Sequence, residues 1–203
     1  MSGLLSIVRK ATRPDHERVE AVPAFKRLMA PDLTAPEYTA VLRHLHGFYA
    51  AMEPMIAAAL QGHPALCLLD GTRPRALAED LAWFGVAPVH LGVAVPKLEN
   101  SAAALGALYV LEGSGLGGRI IARHVQASLG VSPGRGGSFY GGVGAEAIRA
   151  RWGSLCGFLA EVEDGEGTWQ VVTQAACATF QCLVSSISGA SEQKASFCMA
   201  AAR

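Results

Sequence analysis

The chain has no excess of either charge. Its 203 residues carry 17 Lys/Arg against 17 Asp/Glu, and charged side chains make up only 17%. Nucleic-acid surfaces and polybasic membrane anchors draw on surplus cations, so neither partner is expected. Disorder is excluded by the same numbers, because a chain that is 51% hydrophobic with no net charge can bury a core. Cysteines are few, and Cys67, Cys156, Cys177, Cys182 and Cys198 form no C-x-x-C pair. An odd set without that spacing argues against a disulfide framework or a zinc site. No stretch of about eighteen uninterrupted apolar residues occurs, and the apolar start Met1–Val8 is too short for a secretory h-region. The expected setting is a reduced cytoplasm, with no membrane.

Two further absences narrow the chemistry. No E-x-x-H triplet is present, which argues against a di-iron carboxylate bundle. Ser114 does not sit in a G-x-S-x-G elbow, since Glu112 and Leu116 hold the outer positions. Small residues, by contrast, are abundant: 23 glycines and 35 alanines. Backbones must approach each other, or a ligand, closely somewhere.

Helical periodicity recurs along most of the chain. From Pro36 to Leu60 the apolar positions advance by three and four, and Thr34-x-x-Glu37 is a capping box opening that helix. Further helices are predicted at about 74–84, from Asn100 as N-cap to 125, at 144–163 and at 168–187. At the start, a short helix over 4–10 and a second over 13–20 are predicted, kinked at Thr12-Arg13-Pro14-Asp15. Only Val86–Val95 resembles a strand, and Pro88 interrupts it. Loops are expected at 62–64, 87–96 and 130–144. The whole reads as one all-α domain over residues 1–188, followed by a flexible tail at 189–203.

Gly113-Ser114-Gly115-Leu116-Gly117-Gly118 is the sharpest local feature. Gly113, Gly115 and Gly118 fit the dinucleotide fingerprint G-x-G-x-x-G, but that motif needs a strand before it and a βαβ unit around it. The pattern offers neither. Glycine inside a helix costs about 0.8–1 kcal/mol relative to alanine. Close helix packing explains spaced glycines such as Gly106, Gly113 and Gly117; a cluster points to a bent helix whose backbone touches something flat. Of the six histidines, His63 and His90 fall in loops, and His44 and His46 point to different helix faces. His16 differs, because Glu20 follows at i+4 on the same face. An acceptor on one imidazole nitrogen leaves the other free for a metal. Arg9 and Arg13 lie on that side too, and residues 1–30 hold six Lys/Arg against three acids.

Ala11-Thr12-Arg13-Pro14-Asp15-His16-Glu17-Arg18-Val19-Glu20, paired with Leu108-Tyr109-Val110-Leu111-Glu112-Gly113-Ser114-Gly115-Leu116-Gly117-Gly118-Arg119, resembles the heme oxygenase family. The segment Ala175–Phe180 is similar to the family's C-terminal core helix, and the likeness spans about residues 3–188. The Leu-Glu-Gly and Leu-Gly-Gly wording is closest to the bacterial, bacteriophytochrome-associated members. The resemblance implies a single-domain helical bundle with heme b, both cofactor and substrate, between a proximal and a glycine-kinked distal helix. It implies His16 as axial iron ligand, Glu20 as its partner, and Gly113, Ser114, Gly117 and Gly118 as the distal segment over the iron. Arg9 and Arg13 become candidates for the propionates, and Phe180 and Trp169 for the apolar wall. Tyr109, Arg119 and Arg151 join the heme-binding set, with Arg149 and Arg151 off the phase of the family's basic residues. The implied activity is oxidative opening of heme to biliverdin, CO and ferrous iron with O2. An external donor such as ferredoxin or a reductase supplies electrons, and a bacteriophytochrome is a possible acceptor of the pigment. Ser114 stands where many members carry aspartate, which leaves the proton route open to backbone-held waters, Ser114 or Arg119. Two alternatives go with this reading. One is a heme carrier or sensor without turnover. The other is a thiaminase-like hydrolase, which would need a nucleophilic cysteine beside acids.

Overall fold

Most elements start where local chemistry satisfies their first amides. In the computed structural model, which describes residues 3–88, 94–165 and 167–200, eight α-helices follow one another: α1 (Gly3–Ala21), α2 (Pro23–Leu28), α3 (Ala35–Ala59), α4 (Thr72–Trp83), α5 (Ser101–Leu129), α6 (Ser138–Gly141), α7 (Ala145–Ala160) and α8 (Thr168–Ala200). One 3₁₀ turn, Pro64–Leu68, precedes α4. The Glu37 carboxylate receives both the Thr34 N–H at 3.1 Å and the Thr34 hydroxyl at 2.9 Å, completing the expected box at the head of α3. Asn100 opens α5 by accepting the Ala103 N–H at 2.9 Å, and Gly130 closes it at φ +68°.

Three boundaries differ from the sequence pattern. The N-terminal segment is one helix rather than two, with Pro14 inside it. Pro14 lacks the N–H that the Lys10 carbonyl would receive, yet the helix continues because α1 is held on the bundle through buried Leu4, Leu5, Val8, Thr12 and Asp15. The expected strand over 86–95 is not a strand at 86–88 or 94–95, and its centre, including His90, lies outside the described residues. Helix α8 runs on through Ala200, past the point where the pattern ends it and begins a tail.

Helix α8 is the axis of the bundle, and α1, α2, α3 and α5 pack around it. Its stretch Thr168–Ser188, with mean hydropathy 1.3, is long and apolar enough to cross a membrane. Here that apolar surface faces the core instead: Val172, Ala176, Leu183 and Ile187 are buried against the other helices. The contact with α5 is unusually close. A Cβ built on Gly106 would lie 2.1 Å from the Val172 carbonyl oxygen and 3.1 Å from the Ala175 Cβ, so only glycine lets these backbones meet.

Two polar devices fix the rest. The fully buried Asp80 of α4 accepts the Ser138 and Phe139 N–H groups at 2.7 and 2.8 Å, and thereby holds the start of α6. Burial pushes its carboxyl above the ordinary range, against those two hydrogen bonds. The second device joins four helices and the loop before α4. Arg73 of α4 reaches Glu53 of α3 (3.2 Å) and Glu112 of α5 (2.5 Å). Arg151 of α7 reaches Glu112 and Asp70, each at 3.0 Å, and the Leu68 carbonyl. Burial alone would lower the Arg73 guanidinium, but the charge and hydrogen bond of Glu112, with Tyr49 and Glu53, together outweigh it and raise Arg73 above its ordinary range.

Two outcomes follow from these contacts. Gly106→Ala gains about 1 kcal/mol in helix propensity but forces α5 off α8, so a net loss of about 1–3 kcal/mol is expected, read as a lower urea midpoint. Glu112→Ala takes one counter-charge from two half-buried guanidiniums, which keep only Glu53 and Asp70, so a loss of up to about 3 kcal/mol is expected, below the cost of a fully buried unpaired charge. A melting temperature unchanged from the parent chain would contradict that role for the network.

Candidate functional site

Helices α1 and α5 lie on neighbouring flanks of α8 without a broad interface of their own, and α7 spans both. On α8, Cys177 and Phe180 face α1, whereas Val172 and Ala175 face α5. On α7, Trp152 meets α5 at Gly113, and Cys156, four residues on, lies near Arg9 of α1. These contacts make the space between α1 and α5, over α8 and beside α7, the candidate cleft.

His16 stands on the α1 wall with 60% of its side chain exposed. Its ring meets Phe180 edge-on, with centroids 5.9 Å apart and planes at 71°. Nδ1 faces the Glu20 Oε1 at 3.7 Å, too long for a hydrogen bond but close enough for the carboxylate to bias the tautomer toward Nδ1–H and leave Nε2 outward. Asp15, next to His16, is buried and accepts a 2.9 Å hydrogen bond from Arg18, which helps seat this part of α1.

The α5 wall follows from the contact at Gly106. Gly113 and Gly117 are seven and eleven residues further along the same face, roughly 10 and 16 Å on at 1.5 Å per residue. There the face opens. A Cβ at Gly117 would meet nothing within 4 Å, and one at Gly113 would meet only Trp152, at 3.5 Å. The remaining two glycines look elsewhere: Gly115 toward Ile148 (3.5 Å) and Gly118 toward Tyr140 (3.4 Å). Leu116 and Ile120, also on α5, are exposed apolar side chains beside this opening. Tyr109, buried below the glycines, packs its ring on Trp152 with centroids 5.5 Å apart.

Ser114 turns toward α3. Its hydroxyl donates to the Leu111 carbonyl at 2.7 Å and lies 2.9 Å from the Tyr49 hydroxyl. Tyr49 is buried, with the Arg73 guanidinium 5.9 Å from its ring centre, so the serine is tied to the charged network behind the helix. Tyr49, Arg73 and Glu53 were invisible as site residues in the sequence. Periodicity marks Tyr49 only as an apolar position of α3, and nothing local pairs it with a serine 65 positions away.

Several expected site residues sit elsewhere. Arg151 does not face the cleft: Glu112, Asp70 and the Leu68 carbonyl occupy its donors. Arg119 is six residues from Gly113, roughly 240° round the helix, and lines a separate cavity behind α5. Trp169 seals the start of α1, lying 3.0 Å from a Cβ on Gly3 and donating its indole N–H to the Val162 carbonyl. The segment 130–144 is not a loop at the far side of the cleft; it carries α6 and backs the distal part of α5. Arg9 and Arg13 do share the His16 side of α1, and Arg13 is engaged at the surface with Glu17 at 2.9 Å. Burial pushes the thiols of Cys156, Cys177 and Cys182 up, away from the thiolate that a cysteine nucleophile needs.

The donor set suits one kind of group. Among the described residues no cluster of three or more His, Cys, Asp or Glu side chains is placed to hold a bare ion. A single exposed imidazole on α1, together with a side-chain-free backbone face on α5, instead fits a flat metal complex that brings most of its own ligands. The cleft is apolar at Phe180, Leu116 and Ile120 and cationic at Arg9, which matches a porphyrin with carboxylate edges.

The sequence model of the family described as Heme oxygenase matches residues 2–187, nearly the whole chain. No significant match was found among curated proteins. Among solved structures, the NO- and CO-bound heme oxygenase of Neisseria meningitidis superposes with a TM-score of 0.74 at 19% identity, covering 92% of this chain and 91% of that one. The heme complex of heme oxygenase-1 from the cyanobacterium Synechocystis gives 0.70 at 17% identity, over 98% and 99%. The heme oxygenase of Leptospira interrogans gives 0.69 at 20% identity, over 93% and 100%. Similarity at this level of identity shows the same all-helical fold, and the family match adds the lineage: the chain belongs to the heme oxygenase family.

Proposed function

We propose that this protein binds heme in the α1–α5 cleft and opens it to biliverdin, with release of CO and iron. The reading is supported by one exposed histidine on α1, set edge-on to Phe180 of α8, and an open glycine face on α5, the two helices both packing on α8. Bound heme supplies both the iron at which O2 reacts and the ring that is cleaved, so it is cofactor and substrate together. The remaining work belongs to the chain.

His16 would hold the heme iron through the ring nitrogen not facing Glu20, with the Glu20 carboxylate biasing the tautomer that this requires. A neutral imidazole, unlike a thiolate, does not drive O–O cleavage by electron donation. Gly113 and Gly117 present bare backbone on the distal side, where it would leave room for a small ligand next to bound heme. Arg9 and Arg13 attract the propionates and set the in-plane orientation. Ser114, oriented by the Tyr49 hydroxyl and the Leu111 carbonyl, holds the water that passes a proton to the distal side. This arrangement takes the place of the aspartate found in many relatives. The electron donor is external, a ferredoxin or a reductase. The pigment goes to an acceptor such as a bacteriophytochrome, and the chain works in the cytoplasm.

Adding hemin to the purified protein should give a Soret band of histidine-ligated heme, and reductant with O2 should replace it by bile pigment. A stable complex yielding no pigment would overturn the catalytic reading. His16→Ala should remove the histidine-ligated spectrum.

Gly117→Ala separates stability from function. Its new methyl meets nothing in the free protein, so the apoprotein should gain up to about 1 kcal/mol, whereas heme affinity should fall on the order of tenfold as the methyl enters the ligand's space. Equal heme affinity in that variant would place the ligand elsewhere. Tyr49→Phe should leave heme affinity intact and slow pigment formation, by up to about tenfold for one lost hydrogen bond. Single-turnover absorbance provides the readout.

A further inference from the structure

Behind α5, on the side away from the glycine face, lies a second cavity of about 200 Å³. One wall is the later half of α5, where Arg119 and Arg123 stand one turn apart; the other is the segment 131–144, including Ser132, Pro133 and Val143. Its lining joins these two guanidiniums to apolar surface from Ala122, Val125 and Val131, and no carboxylate lines it. Arg18, Arg27, Arg73 and Arg151 by contrast each hold a carboxylate. Neither Arg119 nor Arg123 has one within 4.0 Å among the described residues. Tyr140, also in the lining, carries a buried hydroxyl with no hydrogen-bond partner.

The rim is held in place before any ligand arrives. Ser132 O accepts the Arg135 and Gly137 N–H groups at 2.8 and 3.1 Å, Gly134 N–H donates to the Ser138 hydroxyl at 2.9 Å, and Asp80 fixes α6. Such a preformed site saves the cost of ordering a loop on binding. We propose that this cavity binds a small organic carboxylate, with Arg119 and Arg123 on the carboxylate and the valines and Pro133 around a short apolar body. The volume equals about seven waters at roughly 30 Å³ each, below the usual 300–1,000 Å³ of drug-sized ligands and far too small for a tetrapyrrole. Two adjacent guanidiniums suit the two oxygens of a carboxylate, and the apolar walls favour an organic acid over a free inorganic oxyanion.

The site is separate from the heme cleft, so it can be tested on the heme-free, full-length protein whatever heme does. Benzoate serves as the probe, with inorganic phosphate as the comparison, in calorimetric titrations at low ionic strength. Saturable benzoate binding is expected, weakened at least tenfold in Arg119→Ala and Arg123→Ala and unchanged in Arg75→Ala, a surface arginine outside the cavity. Ala122→Phe, which fills the cavity while leaving both arginines, should abolish it; circular dichroism and melting temperature confirm that each variant is folded. Absence of saturable binding, binding that survives loss of both arginines in a folded variant, or phosphate binding as tight as benzoate would overturn the proposal.

Discussion

A stretch of helix with almost no side chains must be held from its ends, and most of this structure serves that need. Four glycines within Gly113–Gly118 weaken α5 by about 3–4 kcal/mol relative to alanines, and they give it little surface with which to grip its neighbours. Glu112, the residue just before them, is clamped by Arg73 and Arg151. Beyond them, Tyr140 closes under Gly118, and Asp80 keeps Tyr140 there by holding α6. The buried charges are not a cheap source of stability, since apolar residues of like volume commonly do as well or better. Their value is positional. An ion network has a few allowed geometries, where a greasy contact has many, so the helix enters its weak segment at a fixed height and phase.

The same clamp connects the two sides of α5. Glu53 and Arg73 lie behind the helix, Tyr49 passes between α3 and α5, and Ser114 ends the chain of contacts near the open face. Burial pushes the Glu53 carboxyl up while Arg73 pulls it down, so its charge depends on Arg73 staying in place. A shift of α5 that opened the Arg73–Glu112 pair would therefore disturb both the orientation of Ser114 and the charge balance behind it. In the proposed reading, structural support and proton handling fall to the same residues.

What the sequence revealed was what is decided within a turn or two of helix. The Thr34–Glu37 box, the Asn100 cap and the His16–Glu20 pair are all local, and each is found at its expected place. The spacing from Gly106 to Gly113 and Gly117 is equally local, because glycines at seven and eleven residues return to the same side of α5. The misreadings have one cause as well. Arg119 was grouped with the glycines because it follows them in the chain, but six residues along a helix point to the far side. Arg151 was matched to a propionate by charge alone, and its partners come from residues 39 to 83 positions away. Helix α6 has four residues and no periodicity to read; it exists because a carboxylate 58 residues earlier caps it. Pro14 suggested a break, yet a proline costs one hydrogen bond, and a helix with a well-buried face can absorb that.

The small-residue excess thus resolves into two opposite uses of glycine along a single helical face. At Gly106 the missing Cβ is filled by another backbone, and the absence of a side chain produces adhesion between α5 and α8. At Gly117 the missing Cβ is filled by nothing in the protein, and the absence produces a vacancy shaped for a flat ligand. The two uses depend on each other. Because α8 is drawn close at Gly106, that contact is a fixed vertex, and the open face at Gly117 lies eleven residues further along the same helix. A loosened vertex would leave His16, Phe180 and the glycines individually intact but no longer at matched separation. The proposed heme site is in this sense a property of the α5–α8 contact as much as of the residues assigned to it.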